Sequence, residues 1–274
     1  MRQISWIEVK NELFLFMRNS FGSIFTLEFL KVTVPLLIVW EALPQLGIVP
    51  KTLIPPPSVV TACFYDLLIN RGLMGHLGVS LLRFFFGFAV AVLLAVPIGI
   101  GMGWSVYIRK HLLPLFQLLA PIPPPAWVPL TIIALGIGLR MQGFLVFLGV
   151  FYPVLFNTYM GVKETNRRFI NTSRLFGASE FTTLIEVALP SSLASIVMGT
   201  KIGISMGLVC LVISEMFGAS GGLGWLLVES KDYYRIDRMI VSMIILGGIG
   251  WFLIEVMKYI ELKLSLWKIG EVSG

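Results

Sequence analysis

Four ionisable residues stand inside or at the ends of long apolar runs: Glu41, Arg83, Lys201 and Glu215. Charge in such runs is costly, and it marks either a path for a polar solute or an internal ion pair. Arg83 and Lys201 supply positive potential suited to an anion. Glu215 closes an apolar run and is a natural partner for a basic residue, Arg83 being one; pathway and ion pair both remain open. A second group is the proline cluster Pro121, Pro123, Pro124, Pro125 and Pro129, with Trp127 inside it. Each proline removes an amide donor and clashes with the turn before it. Around Pro123, Pro124, Pro125 and Trp127 the freed backbone groups can contact a solute, or the cluster is a packing kink. Covalent chemistry finds no support. Gly218 to Gly224 is glycine-rich but lacks the Gly-Lys-Ser/Thr ending of a phosphate loop. His76 and His111 are far apart, no cluster has metal-ligand spacing, and no metal is expected. An intramembrane hydrolase would need a nucleophile beside a polar partner, and none is visible.

The elements that position these residues are apolar and long. Of 274 residues, 57% are hydrophobic and 13% charged, where a soluble domain averages roughly 25% charged. The mean hydropathy is +0.88, which places the chain in a bilayer. The net charge of +6 does not argue for nucleic acid, because the basic residues fall in short connections. Cys63 and Cys210 are the only cysteines, and Cys210 lies in an apolar run, so no disulfide framework is expected. Glu8, Lys10 and Glu12 interrupt any early apolar core, so no signal peptide is read.

The expected architecture is an all-α membrane protein of six transmembrane helices. Residues 1–28 read as an interfacial helix, 29–260 as the membrane domain and 261–274 as a polar tail. The spans are expected at 29–49, 77–104, 112–138, 142–162, 190–216 and 238–260. Pro55 to Pro57 form a rigid turn, with Ser58 capping a short helix. Tyr107 to His111 read as a basic loop, and 217–237 as a glycine-rich, charged one. The third span cannot be continuous through its prolines, and its break is expected in the protein interior, where alone such backbone is tolerated. Six spans put both termini on one side. The lysine and arginine bias assigns that side, with the polar segment 163–189, to the cytoplasm. Gly199, Gly203 and Gly207 line one face of the fifth span, as a dimer contact or as a static contact within the chain.

The segment 171–190, NTSRLFGASEFTTLIEVALP, is polar and amphipathic between two apolar runs. Gly177, then nine residues, then Val187-Ala188-Leu189-Pro190 resembles the cytoplasmic loop of ABC importer permeases. That loop's pattern is Glu-Ala-Ala, three residues, Gly, nine residues, Ile, any residue, Leu-Pro. Here Asn171-Thr172-Ser173 replaces Glu-Ala-Ala and Val187 replaces Ile. Leu175 to Ser179, Pro121 to Leu130 and Ser80-Leu81-Leu82-Arg83 are similar to the nitrate/sulfonate/taurine/bicarbonate branch.

The resemblance covers about 50–270. It implies a type I ABC importer permease fold with a cytoplasmic coupling helix, in a bacterial inner membrane. It further implies a second copy of this permease, two cytoplasmic ATPase subunits and an external solute-binding protein. No cofactor belongs to this chain; ATP and Mg belong to the partners. Arg174, Gly177, Ala178, Ser179, Glu180, Phe181, Leu189 and Pro190 are then the expected contacts with the ATPase. Gly177 would give a tight turn, and Pro190 would end the surface helix and start the next span. The expected solute is taurine or another sulfonate, on the likeness of Pro-Pro-Ala-Trp and the C-terminal Leu-Trp-Lys-Ile-Gly-Glu-Val, with nitrate or bicarbonate as the alternative. A passive channel or secondary carrier is the rival that needs no ATPase.

Overall fold

The computed structural model describes residues 27–269, and every regular element among them is a helix. The interfacial helix expected over 1–28 lies essentially outside the described residues. In chain order the helices are α1 (Leu27–Gln45), α2 (Pro57–Asn70), α3 (Leu73–Trp104), α4 (Val106–Leu119) and, after a 3₁₀ turn at Pro124–Trp127, α5 (Val128–Leu135). Then follow α6 (Leu139–Lys163), α7 (Arg167–Leu175), α8 (Glu180–Met216), α9 (Leu223–Asp232) and α10 (Ile236–Ile269). The chain divides into a main unit, Leu73–Val228 with Leu246 onward, and a smaller one, the chain up to Gly72 with Glu229–Ile245.

Among the described residues α3, α6, α8 and α10 are long and apolar enough to cross a membrane, and the α4–α5 pair makes a fifth by way of an 85° bend. The remaining expected span, the first at 29–49, corresponds to α1. It has 19 residues, and Glu28, Lys31 and Glu41 interrupt its apolar run.

The main unit is built on glycines. A Cβ on Gly87 would meet the Gly143 carbonyl oxygen at 2.4 Å, and one on Gly99 would meet Thr158 Cβ at 2.7 Å. On Gly103 it would meet Val162 Cβ at 2.6 Å. Rising numbers on α3 meet rising numbers on α6, so these helices run parallel with backbones in contact. Gly199 lies against Asn157, Pro153 and Val154, Gly203 against Val150, and Gly207 against Val150 and Val146. Rising numbers on α8 meet falling ones on α6, so that pair is antiparallel. Within lipid, small residues provide the close approach that hydrophobic burial provides in water. Phe84, Ala91, Ala95 and Met102 of α3, Val146, Val150, Val154 and Leu155 of α6, and Ile204 and Leu211 of α8 fill the seams. Helix α6 is the most enclosed: 61% of its apolar stretch is buried within the chain, against 11% for α10.

Several boundaries differ from expectation. Tyr107 to His111 form the first turns of α4, not a loop, because the Ser105 hydroxyl caps the helix by accepting from the Ile108 amide. The region 217–237 contains α9, and α10 runs to Ile269, so the tail expected from 261 begins as helix. The proline break occurs where expected: Pro123 is extended and Ala126 N–H turns back to the Pro123 carbonyl at 2.9 Å. It is not interior to the single chain. Pro123, Pro125 and Ala126 are exposed, Trp127 is half-buried, and only from Val128 does the backbone pack, against Met141 and Leu145.

In the smaller unit α1 and α2 are joined by Glu41. Its carboxylate accepts from the Ser58 amide at 3.0 Å and from the Ser58 hydroxyl at 2.8 Å. Ser58 was expected to cap α2; instead Glu41 of another helix satisfies that terminus, and Pro56 occupies the cap position without a side-chain bond. Trp40 Nε1 donates to the Pro55 carbonyl at 3.1 Å and fixes the same corner.

Candidate coupling surface and intramembrane ion pairs

The polar segment folds as helix, turn, helix. Asn166 starts α7, its side chain accepting from the Arg168 amide at 2.9 Å. The helix ends because Gly177 takes φ +82°, a left-handed value that glycine adopts without penalty. Gly177 N–H then donates to the Arg174 carbonyl at 3.0 Å and Ala178 N–H to the Ser173 carbonyl at 3.1 Å. Ser179 restarts the chain, its hydroxyl accepting from the Thr182 amide at 3.1 Å. Arg174 and Glu180 bridge the two arms at 2.8 Å, half or more exposed on both sides, so the pair fixes geometry and adds little stability. Ser173 and Thr183 hydroxyls lie 3.0 Å apart across the turn. This folded-back corner presents Leu175, Phe176 and Phe181, which are 87%, 88% and 72% exposed. Three large apolar side chains on a polar corner are the signature of a surface meant to be covered.

Leu189 and Pro190 are placed differently from expectation. The helix that spans begins at Glu180, and Pro190 lies within it rather than at its start. A π-helical stretch at Leu184–Ala188 absorbs the proline: Leu189 N–H reaches back to the Leu184 carbonyl, one residue further than in an α-helix. The hydroxyl of Ser191 donates to the Val187 carbonyl at 2.7 Å, supplying a donor beside the one Pro190 lacks. The polar segment is therefore not a lone surface helix. It is a corner whose second arm runs without a break into α8.

Arg83 and Glu215 are brought together. Arg83 Nη1 lies 2.8 Å from Glu215 Oε1, with the glutamate side chain fully buried. The carboxylate also accepts from the Ser80 hydroxyl at 2.8 Å and from the Gly224 amide at 2.8 Å. Arg83 Nη1 donates in addition to the Gly221 carbonyl, and Leu223 N–H to the Ser80 hydroxyl. His76 accepts from the Gly222 amide at 3.1 Å and stacks on Trp225 at 5.3 Å. The glycine-rich run 218–224 is thus the strap that closes over a buried carboxylate. Gly222 has φ +118° and a Cβ there would lie 2.4 Å from Glu215 Oε1. Lys201 is not with Arg83; it pairs with Glu261 of α10. Gly199, Gly203 and Gly207 face α6 of the same chain.

Sequence reasoning missed His76, Ser80, Gly222 and Gly224, which carry no charge to flag them, and Glu261, assigned to the tail. It also passed over Gln142. That side chain is wholly buried in α6, and neither amide atom has a hydrogen-bond partner among the described residues. A glutamine in a spanning helix is a readable polar signal.

Residues 91–264, more than half of the chain, match the model of the family described as "Binding-protein-dependent transport system inner membrane component". A protein of Methanocaldococcus jannaschii, described as an ABC transporter permease protein, is 34% identical over 252 residues, covering 87% of this chain and 92% of its own. The taurine transport system permease protein TauC of Escherichia coli is 31% identical over 242 residues, with 86% and 88% covered. The nitrate import permease protein NrtB of Synechocystis is 28% identical over 218 residues, with 76% and 78% covered. Among solved structures, an inward-facing conformation of the MetNI methionine ABC transporter matches with TM-score 0.58 at 20% identity, over 72% of this chain and 96% of that one. That likeness shows the fold. The chain belongs to the family of binding-protein-dependent transport system inner membrane components, as an ABC importer permease and not an enzyme.

Proposed function

We propose that this permease carries a sulfonate, taurine foremost, inward through a pathway built from two copies of the chain. In ABC importers the ATPase is a separate subunit; here ATP and Mg would be bound by two such subunits that dock on residues 171–189, in the cytoplasm with both termini. The observation that carries the reading is the exposed Leu175, Phe176 and Phe181 on a corner fused to α8. Closure of the ATPase pair pushes that corner, and α8 transmits the push to α6 and α3 through the glycine seams. The second copy is supported by the exposed backbone break at Pro123 to Trp127, which needs protein or water over it at membrane depth. The pathway residues proposed are Arg83, Pro123, Pro124, Pro125, Trp127, Lys201 and Glu215. Arg83 and Lys201 already hold counter-ions, so they act through the local field and not as free charges.

Similarity to sulfonate and taurine permeases supports the solute, and similarity to a nitrate permease keeps nitrate or bicarbonate as the second reading. The test is uptake into proteoliposomes that hold the chain, the ATPase and the binding protein. Taurine should accumulate only with ATP. A Gly177→Val variant, strained at φ +82°, should insert normally and lose most uptake. Uptake that persists without the ATPase would establish a passive carrier instead.

A further inference from the structure

The glycine strap 218–224 lies over the Arg83–Glu215 pair in a conformation that depends on the bonds holding it. Gly222 sits at φ +118°, and a Cβ there would overlap the Glu215 carboxylate. Arg83 Nη1 donates to the Gly221 carbonyl at 2.6 Å, and the Leu223 amide donates to the Ser80 hydroxyl at 2.8 Å. The amide between them, at Gly222, is held by a ring: it donates to His76 Nδ1 at 3.1 Å.

That bond fixes the state of the imidazole. A peptide N–H can only donate, so Nδ1 carries no proton, and the neutral ring keeps its single proton on Nε2. A second proton has to go to Nδ1, where it meets the Gly222 N–H donor to donor. The bond therefore exists only for neutral His76. Histidine is the side chain that ordinarily changes charge between about pH 5 and 8, and His76 is half-buried in the first turns of α3, within reach of solvent protons.

The surroundings let the ring stay in place when it gains charge. It stacks on Trp225, centroids 5.3 Å apart and planes 13° from parallel, and an aromatic face attracts a cation. On α3 the other titratable side chain is Arg83, and α8 contributes Glu215 at this end; the two pair with each other. The segment 217–228 carries no titratable side chain, and α6 brings only Arg140 in its first turn, which is exposed. No unpaired carboxylate among these groups waits for an imidazolium.

We propose that His76 is a pH-sensitive latch: its neutral ring holds the strap through Gly222, and its second proton releases it. Release loosens the cover over Arg83 and Glu215, two residues of the pathway proposed above. The latch itself rests on the hydrogen bond and not on the solute or the ATPase, so the chain by itself is enough to test it.

The experiment is hydrogen exchange read by mass spectrometry on the full-length chain in detergent, at pH 7.5 and pH 5.5, with each rate corrected for the intrinsic pH dependence of amide exchange. Protection of the peptide over 218–224 should fall about fivefold or more at the lower pH, while a peptide within α6 should not change. His76→Asn keeps an acceptor near the Nδ1 position and does not titrate, so its strap should be equally protected at both values. His76→Phe keeps the stack on Trp225 without an acceptor, and its strap should be weakly protected at both. Should His76→Phe fail to insert, the wild type and His76→Asn decide alone. Equal strap protection at the two pH values in the wild type, or a wild-type response to pH in His76→Asn, overturns the latch.

Discussion

Glu215 is a carboxylate sealed from solvent and held by Ser80, Arg83 and the Gly224 amide. Removing one partner of such a pair leaves the other charged, buried and alone, which costs about 3–5 kcal/mol. Glu215→Ala should therefore lower the thermal midpoint of the detergent-purified chain sharply. Arg83→Met with Glu215→Met should recover much of the loss. A double-mutant cycle with no coupling would show that the pair is not holding the strap over α3. Cys63 offers a contrasting test. Burial, and then its contact with Asp237, push its thiol up to about 11. Below that value the thiol stays protonated, so the native chain should resist maleimide at pH 7.5 and react once unfolded, as read by mass spectrometry. Residues were legible in the sequence in proportion to their charge. Arg83 and Glu215 announced themselves, whereas Ser80 and the Gly222 and Gly224 backbone act through groups that every residue or any surface serine carries.

At the scale of the helix, glycine decides which faces touch. A Cβ on Gly199 would lie 2.6 Å from Asn157 Cβ and 2.9 Å from the Pro153 carbonyl, while one on Gly247 meets nothing within 4 Å. Gly199→Ala should destabilise by about 1–3 kcal/mol through overpacking. Gly247→Ala should be neutral or slightly stabilising, since alanine is the better helix former by about 1 kcal/mol. Unfolding midpoints of the two variants check both signs. Four-residue glycine spacing in α8 was readable, but which helix it meets was not, because the stripe fits a copy of the chain as well as α6. The element boundaries failed for a local reason. Pro190 argues for a helix start when read by itself, and only the π-helical stretch at Leu184–Ala188 lets the helix pass through it. The break at Pro121 to Pro125 was legible because no compensation exists for so many lost donors in one turn.

For the whole molecule, the described residues give a three-helix scaffold of α3, α6 and α8 whose exposed apolar surface faces lipid or protein. Ile133 is 84% exposed, beside the open backbone of the proline break. If a second copy covers this region, Ile133→Cys should form a disulfide-linked dimer in membranes under mild oxidation, and Tyr107→Cys, outside the proline break and also well exposed at 74%, serves as a control for random collision. The membrane class and the position of the polar corner were visible in composition and in the Gly177 to Pro190 spacing. The fold of that corner was not, because its two arms are joined by backbone bonds around one left-handed glycine.

Phe176 is the most exposed large apolar side chain of the corner, at 88%. A photo-crosslinking amino acid placed there, in membranes that hold the full transporter, tests docking of the ATPase most directly. The prediction is a covalent adduct with the ATPase subunit whose yield changes between nucleotide-free and ATP-bound states. Adducts confined to lipid or to a second copy of this chain would contradict it.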